Sequence, residues 1–391
     1  LPIEYRLGEH RVSDFTTCDL VVVNPAVNPH NNRYLRGAAA AGVRCLTEMQ
    51  LLLRVLSPRT RILGVTGTAG KSTTTAMIGH IMARHRGKHR VHVGGNIGGS
   101  LLPIARDIAE TDFVILELSS FMLEWIRNDK WSPRYAVVTN ISKNHLDRHG
   151  TFDAYVEAKE TILAFQKPRH HAALGPGVGE LMDARCDDVV EVDIAHPIMH
   201  DLPLPGAHNR LNATLAMHAC AFFGVDHHKS AHLLQSFHGL PHRMEYVGRF
   251  HDVRYFNDSK STTPEAAILA LRCFDRGKVH IILGGDDKGS DLTELGQAAA
   301  EHARCVYTIG KTGDAIAQAV REHAPPADEH ETPRGELIVS GDLEHAVREA
   351  AHNAKPDDVV LLSPGCASWD QFKNYEQRGQ QFKDLVREVA G

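Results

Sequence analysis

The chain alternates continuous apolar runs with glycine-rich turns and amphipathic segments. Residues 61–66 (RILGVT) form an apolar run that ends in a turn, and apolar residues recur at helical spacing from 71 to about 86. Further runs at 113–118 and 135–141 are largely apolar, as strands buried on both faces of a parallel sheet are. This pattern predicts repeated strand–loop–helix units.

A second series of the same kind begins near residue 243. Thr263 and Pro264 predict a helix start, because threonine is a good N-cap and proline fits the first helical turn. Proline, glycine and charged residues interrupt the stretch 166–205, which predicts short strands and loops. The strands predicted for the second series lie at 253–256, 279–284, 304–309 and 358–363.

The arrangement of these units predicts an α/β protein of three parts. Residues 19–23 already have the pattern of a buried strand, yet the segment 1–54 is too short for a complete α/β domain. We interpret it as the back half of such a domain and expect a fragmentary sequence, with a shortened protein as the alternative. A central domain is predicted at 55–242 and a Rossmann-like α/β domain at 243–391.

Composition and charge narrow the function classes. The 391 residues carry a net charge of −5, and no lysine- and arginine-rich run indicates a nucleic-acid-binding surface. No apolar stretch reaches the length of a membrane span. The seven cysteines are scattered without a CxxC pair, so they predict neither a zinc site nor a disulfide framework and fit a reducing cytoplasm.

The turn after the run 61–66 carries the clearest chemical signal. In GVTGTAGKST (64–73) the glycines let backbone N–H groups surround phosphates at a helix start, the lysine reaches the β- and γ-phosphates, and a hydroxyl holds Mg²⁺. Strict GxxxxGK[ST] spacing would place a glycine where Val65 stands. The loop still predicts ATP or GTP binding, and hence a central P-loop ATPase domain with a mostly parallel sheet. The nucleotide-binding residues predicted here are Gly67, Thr68, Gly70, Lys71, Ser72 and Thr73.

Acidic and imidazole side chains follow two of the predicted strands. Glu117 ends the run 113–118, and His145 and Asp147 follow the run 135–141. Ligands bind at the carboxyl edge of an open parallel sheet, and Mg²⁺ prefers carboxylate and phosphate oxygens. We therefore predict a magnesium ligand at Glu117 and a metal-site role for His145, for which a surface or capping histidine stays the alternative.

Six short motifs then occur in an order that is typical of one enzyme family. They are TGTAGKS, ELSSF, TNISKNHLDRHG, the pair at 158–159, GAHNRLN at 206–212 and NDSKST at 257–262. In these residues the chain resembles the Mur ligases, which build the peptide of bacterial cell-wall precursors. The run 361–379 (LLSPGCASWDQFKNYEQRG) resembles those members that add D-glutamate to UDP-N-acetylmuramoyl-L-alanine.

The resemblance implies ATP-dependent ligation through an acyl phosphate, with two Mg²⁺ ions. It also implies small-molecule substrates (the UDP-sugar peptide, glutamate and ATP) and a monomeric cytoplasmic enzyme, with no nucleic-acid or membrane partner. The catalytic residues it implies are Lys71, His145 and Lys159. Lys159 matches a lysine that CO₂ carbamylates, although from the residues alone a solvated helix lysine is the plainer interpretation. The metal ligands it implies are Ser72, Thr73, Glu117, His145 and Lys159.

The same resemblance assigns the substrate contacts. For the adenine, phosphate and ribose they are Asn209 or Asn212, Arg243, Asp258 and Lys260. Asn96 and Ser119 match positions that face the sugar nucleotide. Those implied for the incoming glutamate are Thr262, Lys288, Ser368 and Tyr375.

Two alternatives stay open. The loop GGDDKG (284–289) departs from the family pattern, which leaves the amino acid and its enantiomer open; the leading turn NPAVNP (24–29) departs as well, within the partial first domain. One alternative is a related ligase that uses L-glutamate or another amino acid, or that extends a folate with glutamate. The other is a nucleotide-binding paralogue without ligase activity. Amino-acid-dependent release of ADP separates these alternatives.

Overall fold

The computed structural model describes residues 3–85, 90–200, 202–286, 289–324 and 335–390. The chain separates into two compact units, one of residues 1–200 with 211–234 and the other of residues 201–210 with 235–391. The leading segment 1–54 therefore belongs to the same unit as most of the central region. The three-part division made from the sequence stays a prediction.

In the first unit the α-helices cover the sheets and the strands are short. Its helices are α1 (Val12–Thr16), α2 (Arg33–Ala40), α3 (Glu48–Val55), α4 (Lys71–His85), α5 (Ser120–Ile126), α6 (Leu146–His149), α7 (Phe152–Ala164), the part of α8 (Ala207–Ala221) from residue 211 onward, and α9 (His227–Leu234). Its strands are β1 (Leu20–Val23), β2 (Arg44–Thr47), β3 (Arg61–Thr66), β4 (Val91–Gly95), β5 (Phe113–Glu117), β6 (Tyr135–Val138), β7 (His171–Leu174) and β8 (Asp188–Glu191).

The main sheet of the first unit is parallel throughout, in the order β4-β5-β3-β6-β7-β8, while β1 and β2 pair separately. Every residue of β5 and β6 is buried, as the unbroken apolar runs predict. The strand order reverses beside β3, which has β5 on one side and β6 on the other. In such sheets the crevice at the carboxyl end of the reversal is the ligand site.

The second unit has its own six-stranded sheet in the described residues, ordered β13-β12-β11-β14-β10-β9. All of its pairs are parallel except β9 with β10. Its strands are β9 (Glu245–Phe250), β10 (Val253–Asn257), β11 (Val279–Gly284), β12 (Cys305–Ile309), β13 (Glu336–Gly341) and β14 (Val359–Leu362). Its helices are α10 (Pro264–Leu271), α11 (Thr293–His302), α12 (Gly313–Glu322), α13 (Leu343–Asn353) and α14 (Tyr375–Ala390).

The main differences from the sequence-based prediction concern edge strands. Strands β4, β9 and β13 were not predicted, because each is partly exposed along most of its length and lacks a continuous apolar run. The strand predicted at 135–141 was too long: β6 ends at Val138, and the two residues after it hydrogen-bond to the turn that follows β3. Among the described residues, no helix combines the length and apolarity that crossing a membrane needs.

Candidate active site

The phosphate loop lies between β3 and α4, at the reversal of strand order in the first unit. Gly67 has φ +146° and Gly70 has φ +80°, in the region that favours glycine. A Cβ on Gly67 would overlap Thr139 Oγ1, and one on Gly70 would overlap Asn212 Oδ1. Both glycines are therefore required by backbone conformation and by close packing.

Two predicted nucleotide residues take definite places here. Lys71 begins α4, and its Nζ donates to the carbonyl of Thr68 at 2.8 Å, which folds the side chain back over the loop. Asn212 is 5% exposed and packs against Gly70. Ser72 and Thr73 occupy the first turn of α4, where hydroxyls face a bound triphosphate in P-loop proteins.

The segment that follows β6 holds the phosphate loop in shape. The side-chain amide of Asn140 makes two hydrogen bonds to the backbone of Ala69. Its Oδ1 accepts from the Ala69 N–H at 3.0 Å, and its Nδ2 donates to the Ala69 carbonyl at 3.0 Å. Thr139 Oγ1 donates to the same carbonyl at 2.5 Å. Thr68 Oγ1 bonds with the hydroxyl of Tyr155 at 2.9 Å. The loop is thus preorganised by side chains from the neighbouring strand end and from α7.

Glu117 ends β5 at this edge and is 1% exposed. Its Oε1 accepts from Asn96 Nδ2 at 2.8 Å, whereas its Oε2 is buried without a hydrogen-bond partner in the described residues. An unpaired buried carboxylate oxygen is costly unless a cation or donor meets it. Asn96 was predicted to face the sugar nucleotide; in the structure its amide positions Glu117.

The environment of Glu117 suits Mg²⁺ better than a metal ion whose ligands are all protein side chains. Among the described residues, no three His, Cys, Asp or Glu side chains converge as metal ligands. Mg²⁺ commonly takes one or two protein groups and completes its shell with substrate phosphates and water. One orphaned carboxylate oxygen beside a phosphate loop is compatible with that ion, and Ser72 and Thr73 bring hydroxyl groups to the start of α4.

Lys159 lies on α7 and is 2% exposed, so it is not a solvated helix lysine. Its Nζ lies 3.5 Å from Thr66 Oγ1 and 4.8 Å from the centre of the Tyr155 ring. Burial, and secondarily the charge of Lys71, holds the pKa of this amine well below its usual value, against the opposing effect of Glu117. The structure thus makes this buried amine easier to deprotonate than a solvated lysine.

His145 and Ser119 occupy the rim of this edge. His145 is exposed, has φ +51° at the start of α6, and places its ring 5.0 Å from that of Phe121. Ser119 caps α5, its Oγ accepting from Met122 N at 3.2 Å. The left-handed backbone at His145 is unusual for a non-glycine residue and marks a constrained position.

The second unit places Asp258 at the carboxyl end of β10, 2% exposed. Its carboxylate accepts from Met244 N at 3.0 Å, Ser261 Oγ at 2.6 Å and Ser363 Oγ at 2.8 Å. Burial raises the pKa of Asp258 to about 6 despite these bonds and the nearby Arg243. Three donors thus hold this buried carboxylate in a fixed orientation at the carboxyl edge of the second sheet.

Arg378 is a residue that the sequence analysis did not single out. It is fully buried, and its guanidinium donates to the carbonyls of Ser259, Cys366 and Ala367 at 3.0, 3.1 and 3.2 Å. Its Nη1 also lies 3.5 Å from the carbonyl of Gly284. Ser259 follows β10, Cys366 and Ala367 follow β14, and Gly284 is the last residue of β11, so one side chain ties together the ends of three strands at the carboxyl edge of the second sheet. Burial lowers the pKa of Arg378 to about 10.

The remaining predicted residues of the second unit separate into three groups. Lys260 Nζ lies 5.7 Å from the centre of the Tyr375 ring, so these two are neighbours. Ser368 is buried in the loop after β14, and Thr262 is half-buried before α10. Asn209 donates to the carbonyl of Pro205 at 2.6 Å, and Arg243 is exposed. The prediction for Lys288 falls outside the described residues.

Sequence patterns explain why some of these residues were missed. Thr66 and Asn140 lie within the motifs TGTAGKS and TNISKNHLDRHG, and Arg378 lies within the run 361–379, but these motifs assign none of the three a role. Tyr155 lies outside the quoted motifs. The roles become visible only through contacts with the phosphate loop, with Lys159 and with the strand ends of the second unit.

Comparison with known proteins gives a consistent assignment. The chain matches the family model "Mur ligase middle domain" over residues 65–175 and "Mur ligase, glutamate ligase domain" over residues 242–366. It is 39% identical to the UDP-N-acetylmuramoylalanine–D-glutamate ligase of Roseiflexus sp. (strain RS-1), covering 99% of this chain and 88% of the relative. The ligase of the same name from Acidobacterium capsulatum is 36% identical, over 98% of this chain and 86% of that relative. That from Thermoanaerobacter pseudethanolicus is 33% identical, over 100% and 88%.

The fold of this chain resembles those of solved ligase structures. A UDP-N-acetylmuramoyl-L-alanyl-D-glutamate–2,6-diaminopimelate ligase superposes with a TM-score of 0.62 at 19% identity, covering 90% of this chain and 89% of that one. The MurF ligase of Thermotoga maritima, in complex with ADP, gives a TM-score of 0.59 at 17% identity, covering 94% of each chain. At these identities the likeness concerns the fold alone.

Proposed function

Because this chain belongs to the Mur ligase family, we propose that it joins D-glutamate to UDP-N-acetylmuramoyl-L-alanine while ATP is converted to ADP and phosphate. Membership makes it an ATP-dependent, amide-bond-forming ligase of peptidoglycan precursor synthesis. The choice of D-glutamate and of this UDP-sugar rests on the three relatives, which are 33–39% identical over at least 98% of the chain.

One observation carries the chemical part of the proposal. Beside a preorganised phosphate loop lie a buried carboxylate with an unpaired oxygen, Glu117, and a buried amine of lowered pKa, Lys159. Activation of a carboxylate by ATP brings two anions together, so the site must supply positive charge. A buried carboxylate that can hold a metal cation, and an amine that can be converted to a second acid-like ligand, are groups through which the site can bring in that charge.

The residues of the first unit divide the work of the first step. Lys71 leaves its contact with the Thr68 carbonyl to pair with the β- and γ-phosphates, and it offsets charge as the phosphoryl group moves to the substrate carboxylate. Loop N–H groups held by Asn140 orient the phosphates. Glu117 and the hydroxyl of Ser72 or Thr73 would hold Mg²⁺, which when bound neutralises phosphate charge. His145, on the rim, is proposed to bind a second Mg²⁺ ion.

The second unit is assigned the ribose and the amino acid. Asp258 is the proposed acceptor for the ribose hydroxyls, and Lys260 and Arg243 are proposed to pair with anionic groups. The proposed glutamate pocket lies at the strand ends that Arg378 ties together, with Ser368 in the loop after β14 and Tyr375 at the start of α14. The amine of glutamate then attacks the acyl phosphate, the C–O bond to phosphate breaks, and an amide and inorganic phosphate result.

We further propose that Lys159 is carbamylated. A neutral amine attacks the carbon of CO₂, an N–C bond forms, one proton passes to solvent, and the product is an anion. Burial and the charge of Lys71 lower the pKa of the amine and so favour its nucleophilic neutral form, and the same charge stabilises the anion once it has formed. The carbamate would replace a buried amine by an acid-like group near Glu117, and so favour a second Mg²⁺.

The carbamate can be tested directly. Incubation of the chain with ¹³C-bicarbonate should give a protein-bound carbamate resonance in the ¹³C spectrum, which Lys159→Met abolishes. The matched control is Lys229→Met, since Lys229 is an exposed lysine of the same unit. A resonance that survives in Lys159→Met, or none in the unaltered chain, contradicts the proposal.

The reaction itself is tested by phosphate release from ATP in the presence of UDP-N-acetylmuramoyl-L-alanine. We expect release with D-glutamate and none with L-glutamate or without an amino acid. Release with L-glutamate alone would retain the ligase and overturn the enantiomer. No release with any amino acid, while ATP still binds, would mean a non-catalytic nucleotide-binding protein.

Glu117→Gln is the sharpest variant for this assay, because it keeps the shape and the bond from Asn96 while it removes the charge. We expect it to lower kcat at least about 100-fold and to leave the fold intact. Glu180→Gln, at an exposed glutamate of the same unit, should retain full activity.

A further inference from the structure

A second concave surface lies at the opposite edge of the first sheet, where β3, β6 and β7 begin. It is a cavity of about 670 Å³ between the start of these strands and the ends of α3 and α7. Arg61 opens β3, Arg134 precedes β6 and His170 precedes β7. Strand β3 is six residues long, so this edge lies about 20 Å from the phosphate loop. The mechanism above uses none of these residues.

The lining of this cavity is strongly basic. Its described residues include no carboxylate, and its cations are Arg59, Arg61, Lys130, Arg134 and Lys167. Glu110 at the rim meets one of them, at 3.5 Å from Arg59 Nη1, and accepts from Ser57 Oγ at 2.7 Å. So many like charges around one concavity repel each other and attract an anion.

Two buried polar atoms at the same cavity have no hydrogen-bond partner in the described residues. Thr60 is only 7% exposed, and its Oγ1 is buried and unpaired. The Nδ1 of His170 is likewise buried and unpaired. A buried hydroxyl without a partner destabilises a fold unless a ligand or water completes it. Burial, and secondarily Arg134 and Lys167, lowers the pKa of His170, which agrees with a dense positive field.

We propose that this cavity binds a small phosphate-bearing polyanion, such as a pyrophosphate group. The exposed side chains of Lys130, Arg134 and Lys167 can turn toward the anion, and the Thr60 hydroxyl can donate to it. The half-buried rings of Trp131 and Phe165 form an apolar wall for whatever carries the phosphates. The site is separate from the nucleotide site because it lies at the amino edge of the same strands.

Arginine and lysine at this edge can also have a simpler role than anion binding, which is to stabilise the ends of helices. The helices of a parallel α/β unit end here, and cations at helix carboxyl ends stabilise the helix dipole. That role explains single cations after α3 or α7. It does not explain a buried hydroxyl and an imidazole nitrogen left unpaired in the same cavity.

The test is calorimetric titration of inorganic pyrophosphate into the full chain without magnesium. Two binding components are expected, one at each site. Lys130→Gln with Arg134→Gln should weaken one component about tenfold or more, while Lys71→Met removes the other. Arg185→Gln with Lys229→Gln, at two exposed cations of the same unit, is the matched control and should change neither component.

Each outcome decides the proposal. Binding that is equal in the double variant and its control would show that the cations serve only the helix ends. A single component that disappears in Lys71→Met would assign all binding to the nucleotide loop, and citrate binding as tightly as pyrophosphate would overturn the assignment to phosphate. In the absence of pyrophosphate, ligase turnover of the double variant should equal that of the unaltered chain.

Discussion

Asp258 provides a sharp test of the energetics inferred for the second unit. The carboxylate is 2% exposed, and burial raises its pKa from 3.8 to about 6. Above pH 6 the folded chain holds a charge that the unfolded chain solvates better. The difference of about 2 pKa values corresponds to about 3 kcal/mol of unfolding free energy at neutral pH.

Asp258→Asn removes that charge and keeps the shape. Its amide oxygen can still accept from Met244 N, while Ser261 and Ser363 can rotate their hydroxyls to accept from the new NH₂ group. We therefore expect the variant to be more stable than the unaltered chain by about 1–3 kcal/mol at pH 7.5. If Asp258 binds the ribose, the same variant loses ligase activity, so stability and activity move in opposite directions.

The pH dependence of the unfolding free energy follows from the direction of the Asp258 pKa shift. A carboxyl whose folded pKa is raised binds more protons in the folded chain, so its cost is complete above pH 6 and vanishes below the unfolded value of 3.8. Urea unfolding followed by circular dichroism should thus show the advantage of Asp258→Asn shrinking to about 1 kcal/mol or less at pH 4.5. Asp384→Asn, at an exposed aspartate, is the control and should stay within about 0.5 kcal/mol of the unaltered chain. An advantage that is absent at pH 7.5, or unchanged at pH 4.5, refutes the reasoning.

Three further outcomes are expected. Gly67→Ala should abolish ATP binding in a filter or calorimetric assay and destabilise the chain by about 1–3 kcal/mol, because the new Cβ meets Thr139 at a positive φ; full ATP affinity would contradict this. Arg378→Met should raise the KM for glutamate about tenfold or more and cost about 3 kcal/mol of stability, since three loops lose a shared donor; steady-state kinetics that match the unaltered chain would refute its positioning role. Burial lowers the pKa of His280 despite Asp358, so stability falls as the pH drops below the unfolded value of 6.5. In urea unfolding, His280→Gln should lose less stability than the unaltered chain between pH 7 and 5. An equal loss in both would contradict the assignment of this pH dependence to His280.

The interior strands could be predicted from sequence because burial on both faces demands an unbroken apolar run. The predicted run 61–66 coincides with β3 and the run 279–284 with β11. The edge strands β9 and β13 could not, since a strand with one open side tolerates polar residues and loses the pattern.

The candidate site shows a similar division. Motif chemistry pointed to Lys71 and Glu117 because glycine, lysine and an acid have fixed places around a phosphate loop. Burial decides the character of Lys159, and no local pattern reports it: only the packed structure shows a 2% exposed amine. Asn140 and Arg378 act by holding backbone, and any sequence with the same fold could assign that work to other positions.

The guanidinium of Arg378 has a consequence for how this protein can change over generations. The ends of three strands share the Arg378 guanidinium as a hydrogen-bond donor, so the conformation of each depends on the other two. A substitution that moves one loop alters what the other two can accept, and effects within this group should be strongly non-additive. A new amino-acid preference would therefore arise through joint changes in several loops, with single replacements mostly lost to selection before they are useful.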